Sequence, residues 1–238
     1  QLKISEEKFA KAFHASPDGL LLTRVADGRV LEANDGFTRI SGYSLSEIRE
    51  RSTLDLGLWE NLNDRERMIE QIRANGSVHD FTVPIRNQAG ALRLCELSAQ
   101  MMPIDGEACM LTIARDVTER QLLQEKLQQA ATVFESTAEG VMITDTQQCI
   151  VAVNRAFSEI TGYSEAEALG QTPELLASEQ HDNTFYDAIW QRLNNEGHWQ
   201  GELWSRRRNG ELFPQWITIN AVRNKAQQTT HFVDQCRA

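Results

Sequence analysis

The chain lacks any excess of positive charge: 24 basic residues stand against 34 acidic ones, a formal net charge of −10 over 238 residues. That balance offers no electrostatic footprint for a phosphate backbone and little attraction to anionic lipid, so neither nucleic acid nor a membrane surface is an expected partner. The one dense basic run, Arg206-Arg207-Arg208, reads as a solvated turn between strands. Cysteine is scarce as well. Cys95, Cys109, Cys149 and Cys236 are scattered without a C-x-x-C pair, which excludes a disulfide framework or a zinc spacing and fits a reducing compartment. No apolar run approaches the roughly 20 residues of a membrane span and no signal peptide opens the chain. The expected setting is cytoplasmic, either free or as the cytoplasmic part of a membrane-anchored protein. No nucleophile with a base, H-E-x-x-H, phosphate-binding glycine loop or pair of catalytic carboxylates is found, so this segment is not expected to be an enzyme.

What the chain does contain is itself, twice. Asn34-Asp35-Gly36-Phe37-Thr38-Arg39-Ile40-Ser41-Gly42-Tyr43-Ser44 and Asn154-Arg155-Ala156-Phe157-Ser158-Glu159-Ile160-Thr161-Gly162-Tyr163-Ser164 share Asn, Phe, Ile, Gly, Tyr and Ser at a spacing of 120. Upstream, Phe13 to Thr23 matches Phe134 to Thr144 at 121; downstream, Ile85 to Leu92 matches Ser205 to Leu212 at 120. Solenoid repeats run roughly 20 to 50 residues, so this period is a whole domain. The expected division is an N-terminal helix over 1–15, a first domain over 16–118, a connecting helix over 119–136 and a second domain over 137–238.

Each copy reads as strand, strand, short helices, one longer helix and three strands, an α+β unit with one five-stranded antiparallel sheet and helices on a single face. Leu2, Phe9 and Phe13 form a narrow apolar stripe on the first helix, which Pro17-Asp18-Gly19 stops. Asp27-Gly28 predicts a type I′ hairpin with positive φ at both residues. Ser44-x-x-Glu47, Ser164-x-x-Glu167 and Thr118-x-x-Gln121 read as capping boxes. After the last, Leu123, Leu127, Ala130, Phe134 and Thr137 step by 4, 3, 4 and 3, a short coiled-coil seam that needs help from its domains to dimerise.

The Asn-x-x-Phe-x-x-Ile-Ser/Thr-Gly-Tyr-Ser stretch, the Arg-x-Asn-Gly turn before the long hairpin, and Asp116-Val117-Thr118 ahead of a charged helix resemble the PAS sensory fold. The resemblance covers nearly the whole chain as two domains. It implies a bacterial multidomain signalling protein, with a downstream output domain in the same chain, of the diguanylate cyclase or cyclic-di-GMP phosphodiesterase kind. It also implies a homodimer through the N-terminal and connecting helices. The second copy is similar to FAD-binding PAS modules of nitrogen-fixation redox regulators and aerotaxis receptors, which carry a tryptophan at the helix position of Trp190.

That similarity implies FAD in the second copy only, with Trp190, Trp199, Ser205, Asn154, Glu174, Ile189 and Leu203 as the candidate cofactor-binding residues. Trp190 shares a helix face with Phe185, Ile189 and Leu193, which fits either a core tryptophan or a wall against an isoalloxazine ring. Trp199, Gly201, Leu203 and Ser205 alternate onto one strand face, with Gly201 leaving room beside the tryptophan. Asn154 ends a buried strand, where Asx side chains bond the following turn or face a ligand. The sequence departs from the flavin pattern at Pro173-Glu174 and at Ser205. At a register of 120 the first copy has Glu70, His79 and Ile85 opposite Trp190, Trp199 and Ser205, and Phe81, Val83 and Ile85 to fill its interior. No Gly-Arg-Asn-Cys-Arg motif supports a photochemical adduct. A haem reading rests on His181 alone, and cofactor-free or small-metabolite PAS pairs are the competing readings.

Overall fold

The computed structural model describes residues 2–237, without the side chains of residues 2–6, 9 and 183; the predicted apolar positions Leu2 and Phe9 lie outside the described side chains. The chain divides into two compact units, 1–125 and 126–238, which part inside the connecting helix.

In the first unit α1 (Leu2–Ala15) leads into β1 (Gly19–Arg24), β2 (Val30–Ala33), α2 (Asp35–Ser41), α3 (Leu45–Ile48) and α4 (Leu62–Asn75). The strands β3 (Ser77–Arg86), β4 (Leu92–Ile104) and β5 (Glu107–Asp116) follow, and α5 (Thr118–Ser136) leaves the unit. The second unit repeats the series as β6 (Gly140–Asp145), β7 (Ile150–Val153), α6 (Arg155–Thr161), α7 (Glu165–Ala168), a 3-10 turn at Pro173–Leu176, α8 (Asn183–Glu196), β8 (His198–Arg206), β9 (Leu212–Arg223) and β10 (Thr229–Arg237). The sheets have the orders β2-β1-β5-β4-β3 and β7-β6-β10-β9-β8, antiparallel throughout. The last strand of each unit therefore lies at the centre of its sheet.

Each predicted serine box forms. The Ser44 and Ser164 hydroxyls and backbone N–H groups donate to Glu47 and Glu167, which close the starts of α3 and α7. Those bonds hold both carboxyls below the usual glutamate range, the serine hydroxyl contributing most. Gly42 and Gly162 end α2 and α6 at φ 76° and 79°, a conformation that costs a side-chain-bearing residue about 1 kcal/mol.

Two local expectations are corrected. At Asp27-Gly28 only the glycine has positive φ, and a wider loop replaces the two-residue turn. It is closed by the Gly28 N–H on the Arg24 carbonyl and by Asp27 Oδ1 accepting the Arg29 N–H. At the start of α5, Thr118 is not the cap. Its N–H and hydroxyl both donate to Asp116 Oδ1, and its hydroxyl oxygen accepts the Leu94 N–H from β4, which pins the helix start to the sheet.

The core of the first unit is one continuous cluster, running from Leu21 and Val30 through Phe37, Ile48, Met68 and Leu97. The buried residues of the second unit fall into two separate clusters. One gathers Met142, Ile150, Val153 and Phe157 near β6, β7 and α6. The other gathers Ile189, Leu193, Trp199, Ile217, Phe232 and Cys236 around α8 and the long strands.

Candidate functional site

Cross-strand partners give the true correspondence between the units. Gly76 and Gly197, which end α4 and α8, lie 121 apart, so Trp190 corresponds to Ile69 and Trp199 to Val78. The expected pairing with Glu70 and His79 is one residue out. β3 carries an irregularity between Val78 and Phe81, with Asp80 at φ 51°, and this extra residue restores the spacing of 120 by the time the chain reaches Ile85 and Ser205.

With that register, three inward positions change character. Ile85, Cys95 and Thr112 of the first unit become Ser205, Gln215 and Asp234 in the second. Ser205 is buried and accepts a hydrogen bond from Gln215 Nε2 at 2.5 Å. Gln215 Oε1 and Asp234 Oδ1 are sealed from solvent with no hydrogen-bond partner. The Tyr186 hydroxyl of α8, buried beside the Ser178 backbone, makes no close bond either, and burial pushes its pKa up. An unsatisfied buried polar group costs roughly 1–3 kcal/mol, so their concentration in one unit needs a cause.

Packing changes at the same places. Ile40, Val83 and Ala99 are buried in the first unit, while their counterparts Ile160, Leu203 and Ile219 keep accessible surface, although two of the three are larger. These side chains are less completely covered in the unit whose interior is more polar. Trp190 is half-buried and meets Phe232 edge-on at 5.3 Å. Trp199 is buried, edge-on to Phe185, and folds over Gly201, where an added Cβ would stand 2.8 Å from its ring. Ile189 lies in the same cluster and Leu203 against it; Glu174 is exposed on the 3-10 turn.

Asn154 is corrected as a ligand contact. Its Oδ1 accepts the Val141 and Phe157 N–H groups, and its Nδ2 donates to the Phe134 and Glu139 carbonyls, so nothing on the amide is left for a ligand. Asn34 does the same with Leu20, Phe37, Phe13 and Asp18. His181 is also occupied: its Nε2 accepts the Trp204 N–H at 3.1 Å and its ring stacks on Phe185 at 4.2 Å. The first unit holds a small cavity of about 70 Å³ between Leu21, Phe37, Trp59, Met68, Ile85 and Leu97. Ligand pockets typically run about 300–1,000 Å³, so this space is far below cofactor size.

Residues 128–237 match the PAS fold family, and residues 7–77 match the PAS domain family. The chain is a pair of PAS domains. Their curated relatives include the nitrogen fixation regulatory protein of Klebsiella oxytoca, 36% identical over 102 residues, 43% of this chain and 21% of that protein. The biofilm dispersion protein BdlA of Pseudomonas aeruginosa is 24% identical over 197 residues, 80% of this chain and 46% of that protein. The PAS pair spans less than half the length of either relative. Among solved structures, the PAS domain of a Colwellia psychrerythraea protein is 22% identical with a TM-score of 0.45, covering 47% of this chain and 94% of its own. Both of these curated relatives are bacterial proteins, and no described helix is long and apolar enough to cross a membrane.

Gln215, Asp234 and Tyr186 were not legible as site residues from the sequence. Asp234 lies in Phe232-Val233-Asp234-Gln235-Cys236, where apolar residues occupy both faces at the start and hide the alternation.

Proposed function

We propose that this PAS pair is the sensory and dimerising segment of a bacterial multidomain signalling protein whose second domain reads redox state through bound FAD. The observation that carries the reading is the replacement of Ile85, Cys95 and Thr112 by Ser205, Gln215 and Asp234, with two of the new polar groups orphaned. The residues present fit a flat, polar-edged cofactor. Trp190 offers a π-face from α8, Gln215 Oε1 an acceptor for a ring N–H, and Leu203 and Ile189 apolar walls. A flavin, when bound, supplies a redox change that alters charge and hydrogen bonding at its ring. The domain's own part is to hold that ring against β8, β9 and β10 and to pass altered hydrogen bonding along the central strands.

Dimerisation is assigned to the helices: no described residue of α5 is buried, and Leu122, Leu123, Leu127 and Val133 all lie exposed. An output in cyclic-di-GMP turnover, from a domain further along the same protein, follows the sequence resemblance. The cytoplasm is the setting such an output requires.

A competing reading, a cofactor-free pair that only dimerises and transmits, draws support from Trp199 folding over Gly201 and occupying the room beside the strand that a glycine leaves. The visible spectrum of purified protein separates the two: flavin absorption is expected, and a colourless preparation that takes up no added FAD refutes the cofactor. Trp190→Ala should weaken FAD binding about tenfold or more, and the corresponding Ile69→Ala should not. Equal effects would refute the assigned pocket.

A further inference from the structure

Asp234 stands on β10, the central strand of its sheet, between Phe232 and Cys236, both of which point into the second cluster. Side chains alternate along a strand, so its carboxyl points inward with them. Directly across, on β6, is Met142 of the first cluster; on β9 is Ile219, packed against the second. Asp234 therefore occupies the seam where the two halves of the interior fail to join. It keeps some accessible surface there, while its Oδ1 is sealed and unpartnered.

Packing gives no reason for a carboxyl at this point, since the first domain fills the corresponding position with Thr112. A lone carboxylate in such surroundings is disfavoured, so the group holds its proton to a higher pH than a solvated carboxyl does. Burial pushes its pKa up to about 7, with no opposite charge to counter it. The elements packed around it contribute Met142, Ile219 and Phe232; the titratable neighbour is Cys236, whose thiol burial holds neutral, with its pKa pushed up to about 11.

We propose that Asp234 is the polar anchor of the ligand site in the second domain, its protonated carboxyl donating a hydrogen bond to an uncharged acceptor, such as a ring nitrogen or ring carbonyl of a heterocycle. The assignment deepens the cofactor reading and rests on it. It also narrows the ligand class. A cation at the seam would pair with the ionised form, whereas an anion would oppose it; a neutral acceptor matches a carboxyl that retains its proton. Because β10 is bonded to both β6 and β9, the protonation state of this one group reaches three strands.

The test is FAD titration of the full chain at about pH 6 and pH 8, in wild type, Asp234→Asn and Asp234→Ala, with native mass spectra of each as purified. The protonated fraction falls about tenfold across that interval, so wild-type affinity should fall about tenfold. Asp234→Asn keeps a donor and should bind equally at both pH values. Asp234→Ala should bind about tenfold more weakly than wild type at the lower pH. If FAD binds wild type and Asp234→Ala alike at both pH values, the anchor is refuted while the flavin reading stands. If FAD does not bind but another mass is carried by wild type and lost in Asp234→Ala, the anchor stands and flavin is refuted. If no added or copurified ligand binds, both are overturned. Asp234→Asn and the wild-type pH dependence keep the test decisive should the alanine variant misfold.

Discussion

Replacing Asp234 by Asn should change how the stability of the second domain depends on pH, and the size follows from the burial of one carboxyl. Its pKa rises from 3.8 to about 7 on folding. The folded domain therefore keeps a proton that the unfolded chain releases above its own pKa. The contribution of this group to stability is largest at low pH and falls as pH climbs from about 4 through 7, then levels off. A difference of about 3 pKa units corresponds to roughly 4 kcal/mol, an upper figure for one group. Asparagine, of nearly equal shape, carries no titrating proton and removes this slope. The assay is urea unfolding between about pH 4.5 and pH 8.5, followed by tryptophan fluorescence. Of the five tryptophans, Trp190, Trp199, Trp204 and Trp216 lie in the second domain, so fluorescence reports that domain almost alone. Asp234→Asn should gain on wild type by several kcal/mol across the interval. A stability difference that stays constant with pH would refute a carboxyl buried in its neutral form.

Asn154→Ala removes four hydrogen bonds to backbone and should cost the second domain about 2–4 kcal/mol, read by the same fluorescence transition. Asn34→Ala, the matching change in the first domain, should leave that transition nearly unmoved. Gly201→Ala brings a methyl to 2.8 Å from the Trp199 ring and should destabilise by about 1–3 kcal/mol, with the tryptophan emission displaced. Leu123→Glu with Leu127→Glu, at positions 58% and 64% exposed, should turn a dimer into a monomer in sedimentation experiments without loss of helix by circular dichroism. A dimer that survives this pair would remove α5 from the interface.

The repeat made the fold legible, because Ser44, Glu47, Gly42 and their counterparts act locally, each through a hydrogen bond or a backbone angle within a few residues. The succession of strands and helices along the chain followed from the same pattern, whereas the order of strands within each sheet came only with the structure. What escaped was anything set by pairing between distant segments. The irregularity at His79 and Asp80 shifts α4 by one residue relative to α8, which displaced Trp190 and Trp199 from their true counterparts. Thr118 has the spacing of a cap, yet β4 draws its hydroxyl away and Asp116 takes its N–H. The candidate set was part visible: Trp190 and Trp199 stand out as large aromatics, and Ser205 shares their strand face. Gln215 and Asp234 come from the next two strands, and only their registry across β8 and β6 turns them toward the same interior.

The polar positions inside the second domain have a thermal consequence. A continuous apolar interior resists loosening everywhere at once, whereas one interrupted by a serine, a glutamine and an acid has a built-in plane of weakness. On warming, the second domain should open before the first, and an occupant bridging that plane would reverse the order. On the reading proposed above, sensing and fragility are the same property, located in one half of a duplicated chain.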